Sequence, residues 1–483
     1  MAVGGAVPRG STQQTLRSGG WLVAGLALCA VTLSSCTAPP PESTPPNIIV
    51  ISLDTLRRDA VGLWNDDPEV QTPNLDGLAR TTVVFDDAWA QIPFTLPSHM
   101  SVFTGLYPDV HGVDRKKSRL SDGVPTLSTI LHDAGYNTIG VVTNLWMKGE
   151  FGFGRGFDHY QRLPYGLVYA DRVNQRAFEL VDQRRDSEKP LFLFVHYIDP
   201  HSDFHNVETN TLPYYAPPED LASTGIDPGS LEFCDDDGNC ATEFLLTADR
   251  EGRQLEQATI DRIALLYSRG VSYLDRQIGD LVHGLEERGL WDDALVVIMS
   301  DHGEEFREHG LFIHIQPYVE NLAIPLMIKL PRGDAAGTRI NDTVQTVDLL
   351  PTLVDAAGAP CPAHVQGSSL LPVIAGGQSP SRETFGRDKL DRQRFALRNG
   401  QFTLIHHLGT GVSELYDRGR DPAELVDIAD HHPERVADLE SRVLEIVSTN
   451  RGLAATLVAS IQSATDLLTD EEAAKLRAIG YLE

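Results

Sequence analysis

Three short apolar runs in this chain each close on an acid or an acid-histidine pair. Asn47 to Leu53 ends at Asp54, Leu191 to Val195 runs into His196, Asp199 and His201, and Ala294 to Met299 ends at Asp301 and His302. Runs of this length and composition, set between helical stretches, read as buried strands of a parallel sheet. Ligands of such sheets collect beyond the carboxyl ends of the strands, so these polar residues are expected to converge on one edge. A fourth segment, Thr95-Leu96-Pro97-Ser98-His99, sets a proline near a helix start. Proline suits that turn because its missing N–H has no partner there anyway, and the free amides and dipole of the start favour an anion. Thr95 is therefore expected to offer a hydroxyl where an anion would sit.

The same residues resemble a family. NIIVISLDTLRRD at 47–59, TPNLDGLA at 72–79, TLPSHMSVFTGLYPDVHGV at 95–113, SDHGEEFREHG at 300–310, VDLLPTLVDAAG at 347–358 and ELYDRGRDPAE at 414–424 are similar, in this order, to the sulfatase branch of the alkaline-phosphatase superfamily. The resemblance implies an α/β fold, an alkaline-phosphatase-like three-layer α/β/α sandwich with a mostly parallel central sheet and a small C-terminal α+β subdomain. It also implies a metal-dependent ester hydrolase.

Departures from the family pattern fall on particular positions. Formylglycine sulfatases carry Cys or Ser where this chain has Thr95, and Arg where it has His99, so no formylglycine can form here. Their GYxTxxxGKWH signature aligns with Gly135 to Leu145 and leaves Thr143 at the lysine and Leu145 at the histidine; a later family lysine aligns with His314. The sulfate-gripping side chains are replaced while the metal acids remain, as in the Thr-nucleophile phosphodiesterases and phosphotransferases of the superfamily.

Displacing an alcohol from a phosphate or sulfate ester needs a nucleophile, positive charge on the ester oxygens and help for the leaving oxygen. Threonine is a weak nucleophile until a metal and a helix start lower its pKa. Asp54, Asp301 and His302, with Thr95 as the reacting ligand, are the expected set for one divalent ion, Ca, Mn, Mg or Zn; the plainer reading has the two acids capping helices. His201 and His314 are read in three ways: with Asp199 as a second ion's ligands, clamping attacking and leaving oxygens; as metal-free groups that bind the ester oxygens and protonate the leaving alkoxide; or as wholly structural histidines. The resemblance favours a single ion. His99 is expected to steady Thr95 or the substrate, Asn144 to line the pocket, His111 to be as readily a turn histidine, and His196 to be core. His159, His205 and His309 carry no functional reading.

Composition bounds the setting. A formal charge of −28 argues against nucleic acid or anionic lipid as a partner. Residues 1–35 hold Arg9, Arg17, no acid and an apolar run from Trp21 to Leu33, which describes an export signal. Leu33-Ser34-Ser35-Cys36 resembles a bacterial lipobox, so Cys36 is expected to carry a lipid that anchors the protein in the cell envelope, facing the periplasm or the cell surface. Residues 36–46 read as a tether and 47–375 as the catalytic domain, interrupted by an insertion at about 202–262. Residues 376–430 read as a small antiparallel sheet turning at Asn399-Gly400, and 431–483 as helices, the last with a capping box at Thr469 and Glu472 and a stop at Gly480. Cys234 and Cys240 are expected to pair, leaving Cys361 unpaired and buried.

The expected function is an exported hydrolase that cleaves a small anionic phosphodiester, phosphonate or sulfate ester through a covalent Thr95 intermediate. The alternatives are an envelope phospho-headgroup transferase and a catalytically dead binding protein on the same scaffold. Oligomeric state leaves no trace in the sequence.

Overall fold

The computed structural model describes Met1 and residues 45–114, 118–164, 169–202, 211–227, 231–377, 383–390 and 393–457. The expected signal, Cys36 and the helix over Thr469–Gly480 lie outside the described residues, as does His205.

The three apolar runs are strands: β1 (Ile48–Leu53), β5 (Leu191–Tyr197) and β6 (Leu295–Met299). With β2 (Val83–Trp89), β3 (Asn137–Val142), β4 (His159–Arg162), β9 (Leu326–Lys329) and β10 (Arg339–Gln345) they form an eight-stranded sheet ordered β10-β2-β9-β6-β1-β5-β3-β4. β1 pairs in parallel with β5 on one side and β6 on the other, and β9 alone runs antiparallel to its neighbours. The central strands have apolar residues on both faces because both are covered. Ile48 and Val50 join one core with the helix Thr95–Thr104 and the helix Leu349–Ala356. Ile49, Ile51 and Leu53 join the opposite core with the helices Ala170–Arg184 and Gln257–Glu287. The result is a three-layer α/β/α sandwich.

Between β5 and β6 the insertion carries the helix Ala241–Arg250 and the Cys234–Cys240 disulfide. The long helix behind the sheet begins at Gln257, so the insertion gives way to regular structure a few residues earlier than expected. Beyond β6 a two-stranded hairpin, β7 (Glu305–Phe306) with β8 (Phe312–Ile313), stands at the carboxyl edge of the sheet. β11 (Glu383–Arg387), β12 (Arg394–Asn399), β13 (Phe402–His407) and β14 (Val412–Asp417) form the expected antiparallel sheet, and Gly400 takes φ +58 in the β12–β13 turn. The helix Pro433–Leu457 is part of this unit: Leu439, Val443 and Val447 bury against Phe385, Phe395, Leu397, Leu404 and Leu415.

Cys361 departs from expectation and is exposed. The helix before it stops at Gly358 with φ +64, and Cys361 then lies between Pro360 and Pro362 on an irregular surface stretch. Among the described residues no helix is long and apolar enough to cross a membrane.

Leu404 is fully buried between the small sheet and its helix. Truncating a buried leucine costs about 2–5 kcal/mol through lost transfer energy and the cavity left behind. Leu404→Ala is expected to lose stability in that range, measured by denaturant unfolding followed in the far ultraviolet.

Candidate active site

At the end of β1 the chain turns sharply, and Thr55 takes φ 56, a conformation that strains a β-branched residue. The turn leaves Asp54 at the sheet edge with its amide donating to Tyr197 O at 2.9 Å, while Thr55 N donates to Asp301 Oδ1 at 3.2 Å. Tyr267 of the long helix donates its hydroxyl to Thr55 O at 2.8 Å. Asp301 lies two residues past β6, its Oδ1 also accepting His302 N at 2.9 Å and its carbonyl accepting Ser98 Oγ at 2.7 Å. His302 donates Nδ1–H to Gly303 O at 2.9 Å, so Nε2 presents its lone pair. That nitrogen lies 3.4 Å from Asp301 Oδ2 and 3.9 Å from Asp54 Oδ1. Gly303 fits where no Cβ would, since one placed there meets Glu320 O at 1.9 Å.

Asp54 Oδ2 accepts Asn144 Nδ2 at 2.7 Å and His196 Nε2 at 3.1 Å. Thr95 opens its helix as expected, with Oγ1 3.5 Å from both Asp54 oxygens and 3.3 Å from Asn144 Nδ2. Burial works against ionisation of Asp54, but the His196 hydrogen bond and the charges of His196, His201 and His302 outweigh it and hold the carboxyl well below its usual range. Burial and the negative charge of Asp54 push Asp301 the other way, well above it. Two like charges shut in together do not both ionise unless a cation joins them.

The residues present fit such a cation. Among the described residues, Asp54, Asp301 and His302 form a group whose donor atoms all lie within 4.8 Å of one another. Asp301 Oδ2 and His302 Nε2 are buried with no hydrogen-bond partner, which is costly unless something binds them. Two carboxylates, an imidazole nitrogen and a hydroxyl suit a divalent ion and leave positions open.

The remaining predicted residues divide. His99 is fully buried beneath the site: Nδ1 donates to Thr95 O at 2.9 Å and lies 3.4 Å from Asp301 Oδ2, and Nε2 accepts Ser52 Oγ at 2.7 Å. It braces Thr95 and Asp301 from behind rather than facing a substrate, and burial, with His196 beside it, pulls its pKa down to about 3. His201 and His314 come together, ring centroids 5.0 Å apart, with His314 4.5 Å from His302. Asp199 does not join them. Its Oδ1 accepts Ala170 N at 2.8 Å, at the start of the Ala170–Arg184 helix, and burial raises its pKa to about 7. The chain turns at Pro200, which sends Asp199 to that helix and His201 to the site, so the Asp-His-His set is not assembled. His111 is a turn histidine, its Nδ1 accepting Val113 N at 3.0 Å.

Three contributors escaped the sequence reading. His196, read as core, bridges Asp54 Oδ2 to Thr143 Oγ1, which lies 3.2 Å from its Nδ1. Strand alternation held the signal, since Ser52 pairs with His196 and faces the same layer as His99. Glu304, buried after Gly303, takes His314 Nδ1–H at 3.1 Å. Lys389 reaches in from the small sheet, and no motif marked it.

Comparison with known proteins assigns the chain to a family. The sulfatase family profile matches residues 46–359, and that of the N-sulphoglucosamine sulphohydrolase C-terminal region matches residues 307–449. The chain belongs to the sulfatase family. It is an ester hydrolase of that family, and sulfatases are metal-dependent. The N-acetylglucosamine-6-O-sulfatase of Bacteroides thetaiotaomicron is 25% identical over 491 residues, covering 83% of this chain and 86% of that protein. The phosphonate monoester hydrolase of Agrobacterium radiobacter shares the fold with a TM-score of 0.63 at 20% identity, covering 88% of this chain and 99% of that one. A protein solved with its substrate D-glucosamine-2-N,6-O-disulfate does so with a TM-score of 0.65 at 21% identity, covering 86% and 99%.

The carboxylate pair makes a pH prediction. An acid whose pKa is raised by folding gives its full stability below the unfolded value of 3.8 and loses it as pH rises through the folded value. In protein stripped by a chelator, Asp301→Asn is expected to raise the unfolding temperature at pH 8, with the gain shrinking toward pH 4. A gain independent of pH would show that Asp301 carries no such burden.

Proposed function

We propose that this sulfatase-family chain is an exported metal-dependent hydrolase in which Thr95 takes the phosphoryl, phosphonyl or sulfuryl group before water releases it. One observation carries the reading: a hydroxyl at a helix start stands 3.5 Å from both oxygens of a buried carboxylate that neighbours two unpartnered donor atoms. Asp54, Asp301 and His302 would hold one divalent ion with Thr95. When bound, such an ion lowers the pKa of a hydroxyl and neutralises ester oxygens.

The protein's own groups account for the rest. Asn144 fixes the Thr95 hydroxyl against Asp54, so Oγ1 points at the ester. Thr95 Oγ1 gives up its proton to solvent and forms the bond to phosphorus or sulfur as the bond to the alcohol oxygen breaks. His201 faces the leaving alkoxide and gives it a proton. Burial first, then the charges of Lys389, His302 and His201, hold His314 far below the usual histidine range, so it stays neutral. With Nδ1–H committed to Glu304, His314 Nε2 accepts a proton from the water that cleaves the Thr95 ester. His314 then hands that proton to the freed Thr95 oxygen and His201 regains one from solvent, so one ester and one water yield one alcohol and one acid.

Substrate class follows from the nucleophile. A formylglycine hydrate expels sulfate from its own carbon, whereas a threonine sulfate has no such exit and must be cleared at sulfur. Phosphorus accepts that second attack more readily, so the expected order by kcat/KM is phosphodiester or phosphonate monoester, then phosphate monoester, then sulfate. The sulfate-ester activities of the relatives and the phosphonate hydrolase among the structural neighbours bracket this range. A panel of aryl esters with metal added back tests the order; aryl sulfate as best substrate would overturn it. Thr95→Ala is expected to lower turnover of every ester by about 10³-fold or more.

The location proposed is the cell envelope, with a lipid on Cys36 as the anchor. Cys36→Ala is expected to move the protein from the membrane fraction to the soluble one, and unchanged partition would mean another anchor.

A further inference from the structure

The family lysines are gone from Thr143 and His314, yet the fold returns one ammonium to the site from a distant part of the chain. Lys389 follows β11 of the small sheet. Its amide donates to Ile315 O at 3.0 Å, one residue past His314. Its Nζ lies 5.1 Å from the centroid of the Phe94 ring, and Phe94 immediately precedes Thr95. Lys389 is thus fixed at its backbone to the histidine side and at its tip to the nucleophile side, and it is half-buried. A main-chain bond and a cation–ring contact leave the side chain little freedom to swing away.

We propose that Lys389 is the specificity-determining cation of this site, setting how well a dianionic ester is held relative to a singly charged one. The inference rests on the reading of the site given above. Ile315 adjoins His314, whose ring lies 4.5 Å from that of His302, and Phe94 adjoins Thr95, so a cation held between Ile315 and Phe94 faces an ester lying between those histidines and Thr95. The second negative charge of a phosphate monoester, a few ångströms from an ammonium in a partly solvated pocket, gains about tenfold in binding over the single charge of a diester. Neither family lysine position supplies that charge, so the ratio between the two ester classes depends on a residue of the C-terminal unit.

The test compares wild type, Lys389→Gln and Lys389→Arg on an aryl phosphate monoester and an aryl phosphodiester, with inorganic phosphate binding measured by calorimetry. Lys389→Gln is expected to lower kcat/KM about tenfold more for the monoester than for the diester and to weaken phosphate binding by a similar factor. Lys389→Arg, which keeps the charge, is expected to recover most of the ratio. Equal losses on both esters, or an unchanged ratio with unchanged phosphate binding, would overturn the proposal. Thr95→Ala run alongside separates the two ideas: retained turnover there defeats the nucleophile, while phosphate binding still decides Lys389.

Discussion

Two carboxylates shut away from water beside each other are the constraint on which this structure turns. β1 and β6 pair in parallel from Ile48 opposite Leu295 to Ser52 opposite Met299, so both strands finish level and deliver Asp54 and Asp301 to one spot. Leaving such a pair uncompensated opposes folding. Much of the surrounding structure answers that difficulty. Thr55 accepts a strained turn to give its amide to Asp301, His196 and Asn144 donate to Asp54, and His99 backs the pair from beneath. Orphaned Oδ2 and Nε2 atoms mark the place where a cation would finish the task.

Around this pair the site is layered by function. His302 turns its lone pair inward because Gly303 O holds its other nitrogen, and Gly303 can sit against Glu320 O because it lacks a Cβ. His314 is oriented in the same manner by Glu304. Thr95 completes the arrangement from a helix whose Ser98 is tied to the Asp301 carbonyl, so hydroxyl and acids are held together. In the proposed mechanism, preorganisation of this kind, rather than any single strong contact, is what would let a poor nucleophile act.

Much of the fold was legible in the sequence because both signals are local. Apolar runs of five to seven residues announce buried parallel strands, and their terminal acids announce the edge. Asp54, Asp301 and His302 were read that way, and Thr95 from the proline near its helix start. Asp199 was misread because the same logic treats every polar residue after a strand alike, whereas the turn at Pro200 divides Asp199 from His201. His196 was missed because a histidine inside an apolar run looks like core until a partner appears across the sheet. Cys361 was taken as buried from residue type alone, although the two prolines around it keep it out of helix and sheet, on the exposed surface. Lys389 could not have been found, since nothing local ties a residue of the small sheet to a helix start some three hundred positions earlier.

Thr143 carries a consequence for the history of this lineage. Where sulfatases extend a lysine toward the ester, this chain keeps a short hydroxyl packed behind His196, which in turn grips Asp54. A lysine regained at that position alone would meet the imidazole rather than a substrate and would compete for Asp54. A lysine at position 143 therefore calls for a coordinated replacement of His196, and through it a new partner for Asp54. Descendants of this chain have an easier path in varying the C-terminal unit, since Asp54 and Asp301 take their hydrogen bonds from Thr95, Asn144, His196, Thr55 and His302 rather than from it.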